Sequence, residues 1–314
     1  MTDRVTGMNR LKLAEEQPVV GSPLYKALPE SEAIEPETSL PVTVIVPRSG
    51  WQLLDLKELW RCRELLGFLV WRDVKVRYKQ TALGAIWAVL QPFATMVVFT
   101  LFLGKTGVAG GEANDVQYPL FVFAGLLPWI FFANSVSTAG QSVVINERLV
   151  TKIYFPRLII PMAAVGAGLV DFVIAFGMLL LMMVYYGASP SWSMLLMPVP
   201  VLGLLVAALG VGALLSALTV AYRDFRHAVP FMVQLWMFAT PSIYLQDLSR
   251  INPLWQKLLP LNPAYGLIGN FRAAMLGKDL DLYSLSISSA VGVIFLLVGC
   301  FYFRRVERTF ADVI

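Results

Sequence analysis

Histidine and cysteine are nearly missing from this chain: one histidine, His227, and two cysteines, Cys62 and Cys300, stand among 314 residues. A zinc site needs more ligands than that, and no Ser-His-Asp arrangement is supported by the spacing. The two cysteines, one near a basic belt and one inside an apolar run, are too few and too badly placed for a disulfide framework. Charge is scarce as well, at 15% of residues against about 25% in a typical soluble domain. A nucleotide-binding loop is also lacking. Gly104-Lys105-Thr106 looks like the end of one, but Phe99 stands where the first glycine belongs, and an apolar run replaces the strand that should precede it. No cofactor and no metal are therefore expected on this chain.

What is present is apolar: 57% of residues are hydrophobic and the mean hydropathy is +0.66. Residues 82–103 carry no charge and make a helix of roughly 33 Å, which matches a hydrocarbon core of about 30 Å. That run begins well inside the chain and lacks a small-residue cleavage site, so it is not a secretory signal peptide. The patterning predicts six spans, at 84–103, 118–142, 158–186, 195–220, 228–245 and 282–303, in an all-α polytopic membrane protein. An even number places both termini on one side. Lys and Arg cluster in residues 57–79, 148–157, 223–226 and 304–308, while only Lys105, Arg250, Lys257, Arg272 and Lys278 are scattered through the opposite segments. By the positive-inside rule, both termini are cytoplasmic and the chain is a multi-pass protein of the cytoplasmic (inner) membrane. The net charge of +4 sits beside apolar runs, so membrane lipids rather than nucleic acid are the expected anionic partner.

Residues 1–50 hold Pro18, Pro23, Pro29, Pro36, Pro41 and Pro47, spaced too closely for a helix. They read as a disordered Pro-rich tail with a short extended piece at 42–46. Residues 51–83 read as interfacial. Leu53, Leu56 and Trp60 form an apolar stripe on a first amphipathic helix. From 64 to 80 two readings compete, because residues 74–79 alternate with period two like a strand, but a lone strand beside a membrane has no pairing partner, which favours a helix along the cytoplasmic surface. As a helix it stacks Arg72, Lys75 and Lys79 on one face and pairs Asp73 with Arg77 at i, i+4.

Three further features carry chemistry. After the second span, Asn146 suits an N-cap, Glu147 the positive end of the helix dipole, and Pro156 stops the turn. This predicts a short amphipathic helix that is either a connector or a docking element for a soluble subunit. Asp171 is an acid within a span, which costs several kcal/mol unless paired, protonated or facing water. A proton relay needs several such groups, so a hydrogen bond or salt bridge within the bundle is expected. Between spans five and six, residues 247–280 are too interrupted by Pro260, Pro263 and Gly266 to cross. They read as a re-entrant or outer-face pair of helices, or else as an ordinary amphipathic loop.

Arg72-Asp-Val-Lys-Val-Arg-Tyr-Lys79 running on through Trp87 to Pro92, Tyr118-Pro-Leu-Phe-Val-Phe-Ala-Gly-Leu-Leu-Pro-Trp129, Lys152-Ile-Tyr-Phe-Pro-Arg157 and Leu261-Asn-Pro263 carry a resemblance. In that order they resemble the membrane subunits of type-2 ABC exporters of lipid-linked polysaccharide: the O-antigen, capsule and teichoic-acid permeases. The likeness covers about residues 51–314, and the long proline-rich tail departs from the compact family pattern. It implies a homodimer of six-span subunits with two copies of a separate ABC ATPase, which holds the ATP and Mg²⁺, so that this chain is not itself an enzyme. It also implies that residues 64–80 form a gate helix, and that Asn146, Glu147, Arg148, Lys152 and Tyr154 lie on a coupling helix seated in the ATPase. On this reading Arg72, Lys75, Arg77 and Lys79 capture the diphosphate headgroup of the glycolipid. Trp87, Phe93, Trp129, Phe131 and Phe132 are the aromatic residues available to stack on sugar rings, although aromatics in spans more often pack or face lipid. The alternatives are a type-2 exporter of a smaller lipid or drug-like cargo, and a membrane-embedded acyl- or glycosyltransferase. The second needs a clustered acid, base or metal set, against which the solitary His227 and sparse acids count.

Overall fold

The computed structural model describes residues 56–79, 84–103, 118–152, 155–189, 191–241, 252–307 and 310, which are almost entirely helical. The tail at 1–50, Leu53 and Tyr154 lie outside the described residues. In chain order the helices are α1 (Leu56–Arg61), α2 (Arg63–Lys79), α3 (Ile86–Leu103), α4 (Tyr118–Ile145), α5 (Glu147–Lys152), α6 (Ile159–Tyr185), α7 (Pro198–Ala221), α8 (Phe225–Phe238), α9 (Pro253–Leu258), α10 (Pro263–Met275) and α11 (Leu282–Glu307). A 3-10 turn at Trp192–Leu196 leads into α7, and another at Leu259–Leu261 joins α9 to α10.

The helix α4 is the axis of the bundle, with α3, α6, α7, α8 and α10 around it. Small residues let its neighbours come close, as they must where lipid offers no hydrophobic drive between helices. A Cβ on Gly140 would lie 3.2 Å from Leu215, and one on Gly212 would lie 2.6 Å from Ala139. On the far side of α7, Gly210 and Gly299 bring the backbones of α7 and α11 into direct contact.

Four helices, α4, α6, α7 with its leading turn, and α11, are long and apolar enough to cross a membrane. The first and fifth expected spans are shorter. Only 18 residues form α3, roughly 27 Å. The 14 residues of α8 start three positions before the expected 228 and stop at Phe238 rather than 245. Pro241 explains the stop, because the residue before a proline is pushed out of helical geometry and proline itself has no N–H to give.

The helix α2 runs lengthwise beside α6. Leu69 packs on Ile159 and Ala163, Val70 lies over Gly166, and Arg77 and Tyr78 reach Asp171. Contacts that advance together along both helices mean that the two run side by side in the same direction. The chain then turns at Gly84, whose φ of +50° suits glycine, and α3 continues along the far half of α6. On α1, Leu59 joins the buried clusters and Trp60 is exposed beneath the Arg63 guanidinium at 5.4 Å.

Buried along nearly its whole length among α4, α7 and α11, α10 is unlike an ordinary external loop. Its start is held by Asn262. The Asn262 side chain accepts from Trp236 Nε1 at 2.9 Å and from the Ala264 N–H at 3.1 Å, and donates to Thr240 Oγ1 at 2.9 Å and the Ala239 carbonyl at 3.2 Å. One amide thus caps α10 and closes the end of α8.

Gly210→Ala should place a methyl group on the α11 backbone and cost on the order of 1–3 kcal/mol or more. Gly177→Ala, with nothing within 4 Å of the new atom, should be neutral. Thermal unfolding of the two purified variants in detergent measures the difference, and equal stability would refute the backbone contact.

Candidate functional site

One end of the bundle gathers α5, the start of α6, the end of α7 and the end of α11. Only Asn146 separates α5 from α4. Val150 is buried in a cluster with Val143, Leu158, Ala217 and Phe303, and this fixes α5 against the body. Glu147, Arg148, Thr151 and Lys152 are left exposed on its outer side. This is a short charged ridge on an anchored base.

Asn146 does not cap α5 as expected. Its Nδ2 donates to the Ser142 carbonyl at 2.8 Å, and its Oδ1 accepts from Arg72 Nη2 at 2.9 Å. The same guanidinium binds Asp73 Oδ1 at 2.8 Å, so Asp73 pairs with Arg72 and not with Arg77. The Arg77 guanidinium instead forms an ion pair with Asp171, and the Tyr78 hydroxyl donates to the other oxygen of that carboxylate. The acid expected to need a partner within the spans has two, both brought by α2. The reassignment has a geometric cause: a helix running along α6 points Arg77 at α6, out of reach of its own i−4 neighbour.

Behind α5 the chain is fastened to the C-terminal end. The Arg157 N–H donates to Glu307 Oε1 at 3.1 Å and its guanidinium to the Glu307 carbonyl. That guanidinium also sits 5.9 Å from the ring of Phe310, which meets Phe303 edge-on at 5.2 Å. Arg157 stood out in the sequence only as the end of a motif, and its pairing with Glu307 did not, because a contact across 150 positions leaves no local pattern.

The four candidate headgroup cations separate into two pairs. Arg72 and Arg77 are engaged inside the protein, whereas Lys75 and Lys79 are exposed. The candidate aromatics separate too. Trp129 and Phe132 are packed into the bundle, Phe132 edge-on to Trp236 at 5.2 Å, and offer no face to a ligand. Trp87 and Phe93 are outward-facing, while Phe131 is buried but forms part of a cavity wall. That cavity, of about 370 Å³, lies between the end of α2, α3, α4 and α6. Arg77, Tyr78, Gln91, Asn134, Thr138 and Asp171 supply its polar lining. Arg272 was another miss: its guanidinium stacks 3.8 Å from the Phe121 ring and is not an external loop charge. No group of three or more His, Cys, Asp or Glu side chains gathers among the described residues.

A family model described as "ABC-2 type transporter" matches residues 64–276. The chain is similar to the "O-antigen export system permease protein RfbA" of Myxococcus xanthus, 34% identical over 258 residues that cover 82% of this chain and 98% of that protein. It is 27% identical over 252 residues to a protein of the same description from Klebsiella pneumoniae, covering 80% and 95%. A third relative is the "Polysialic acid transport protein KpsM" of Escherichia coli, at 22% over 250 residues, 76% of this chain and 91% of that one.

Asp171→Asn should leave the Arg77 charge uncompensated and lower stability, and adding Arg77→Gln should recover most of the loss. The coupling expected from such a cycle is about 0.5–3 kcal/mol, read from unfolding midpoints of the four proteins. Simple additivity would show that the pair does not hold α2 to α6.

Proposed function

The chain belongs to the ABC-2 type transporter family, and on that premise we propose that it is the permease subunit of an ATP-driven exporter of lipid-linked polysaccharide of the O-antigen, capsule or teichoic-acid type. The observation that carries this reading is similarity along 98% of the length of an O-antigen export permease. The chain has no nucleotide motif, so its energy comes from a separate ABC ATPase that binds ATP and Mg²⁺. Two copies of each subunit form the working unit in the cytoplasmic membrane, with both termini inside.

Six crossings fit the helices described. Four are complete in themselves, and α3 and α8 contribute to the first and the fifth. Placed with α5 at the cytoplasmic face, the start of α10 lies within the membrane near the outer side, a re-entrant position for a helix this buried. An interior position suits α10, since irregular backbone at membrane depth needs protein around it.

In this arrangement the ridge of Glu147, Arg148 and Lys152 docks into the ATPase, and α2 is the gate helix. ATP can move the spans only through a contact whose affinity differs between two states, and the anchored, charged α5 supplies such a contact. Lys75 and Lys79, with their ammonium groups outward, take the role of headgroup capture that Arg72 and Arg77 are too committed to fill.

Arg148→Glu combined with Lys152→Glu should abolish ATP-dependent delivery of glycan to the outer face while membrane insertion stays normal. Delivery in membrane vesicles and the yield of folded protein are measured in parallel, and unchanged delivery would overturn the docking role. In the same assay, Lys75→Gln with Lys79→Gln should weaken glycolipid retention several-fold without loss of assembly. A collapse of assembly in that variant would make the two lysines anchors instead.

A further inference from the structure

The cavity beside Asp171 is open to the surface, and its polar side chains Gln91, Asn134 and Thr138 are exposed, a feature that contact with lipid alone does not need. Three uncharged polar side chains, Gln91 from α3 and Asn134 and Thr138 from α4, face the same space as the Arg77–Asp171 pair. Thr138 satisfies its hydroxyl on the Asn134 carbonyl at 2.6 Å. The carboxamides of Gln91 and Asn134 make no hydrogen bond with other described residues. At membrane depth an amide without a partner costs several kcal/mol, so these two need water or a polar ligand opposite them.

The remaining walls narrow the ligand. Asp171 and Arg77 neutralise each other, so the space has no net charge to attract a diphosphate. Trp87, exposed at the rim, and Phe131 and Phe172 at the back present aromatic surface. Carboxamides that donate and accept, a hydroxyl, a neutralised ion pair and aromatic rings together suit a ring that is apolar on its C–H face and hydroxylated at its edge. The volume of about 370 Å³ falls in the range of small-molecule sites, roughly 300–1,000 Å³.

We propose that this cavity, with Gln91 and Asn134 as its hydrogen-bonding groups, binds an uncharged sugar ring of the exported glycan and not the diphosphate of its lipid carrier. The proposal rests on the export function proposed above. It separates the two ends of the substrate: charge is met at Lys75 and Lys79 on the exposed side of α2, and sugar is met in the cavity between α2, α3, α4 and α6.

The test uses the full chain with its ATPase, carrying Cys62→Ser and Cys300→Ala, and introduces Asn134→Cys. Membranes are prepared from cells that make the lipid-linked glycan and from cells blocked in its first glycosyl transfer, and the rate of labelling by a charged maleimide is measured. Labelling is expected in the glycan-free membranes and at least five-fold slower labelling in the others. Leu181→Cys, on the exposed apolar side of α6, should label in neither. Gln91→Cys replaces Asn134→Cys if that variant fails to assemble. Equal labelling with and without glycan, or none in either membrane because lipid or a second copy of the chain fills the space, would overturn the proposal. Failure of the unsubstituted complex to deliver glycan would overturn the functional reading and this proposal with it, whereas delivery with undiminished labelling overturns this proposal alone.

Discussion

The ion pair between Arg77 and Asp171 is the constraint from which the rest of the architecture follows. A carboxylate within an apolar helix is stable only with a partner, and α6 carries no cation to serve it. The partner comes from α2, which must then lie along α6 for more than three turns to deliver Arg77 and Tyr78 to the right level. The chain cannot enter the bundle as one straight helix from there. It breaks, turns at Gly84, and resumes as α3. The break leaves room between α3, α4 and α6, and the polar cavity occupies that room.

The same helix ties two distant places together. At one end Arg72 holds Asn146, the single residue between α4 and α5; at the other Arg77 holds Asp171. At 1.5 Å per residue these two ties are only about 7–8 Å apart along α2, less than two turns. The charged ridge on α5 is therefore separated from the cavity by two polar contacts and a short rigid segment. Arg157, fastened to Glu307 and Phe310, braces the other side of α5 against the end of α11. A push on α5 thus meets one stiff support and one that leads into the cavity wall.

Much of the bundle was legible because a membrane span announces itself: length and apolarity alone locate α4, α6, α7 and α11. The helical state of α2 also followed from the sequence, by elimination, since a lone strand has nowhere to place its backbone bonds. Its direction did not follow. The i, i+4 spacing of Asp73 and Arg77 has a local explanation that is as good as the true long-range one, and only packing against α6 decides between them. Asn146 misled for the same reason, being a good cap residue by type whose side chain is claimed by a guanidinium 74 positions away. The aromatics of α4 were ambiguous because lipid-facing, packed and ligand-facing rings look alike in a span. Burial alone separates Trp129 and Phe132 from Trp87.

Asn262 shows how a three-residue motif can be understood once the neighbours are known. Pro263 supplies the fixed φ that starts α10 and removes an N–H that would otherwise need a partner. Leu261 and the turn before it set the approach, and the Asn262 amide uses both its acceptor and its donor ends on two elements, the end of α8 and the start of α10. No other side chain of that length does this: aspartate cannot donate to Thr240 and the Ala239 carbonyl, and leucine, though similar in shape, can neither donate nor accept. The joint also explains how α8 can be short. Its last turn ends against Asn262, which meets the freed Ala239 carbonyl and the Thr240 hydroxyl. The ends of α2 and α8 are thus held in the same way: each stops at a polar side chain supplied by another element, Asp171 in the first case and Asn262 in the second.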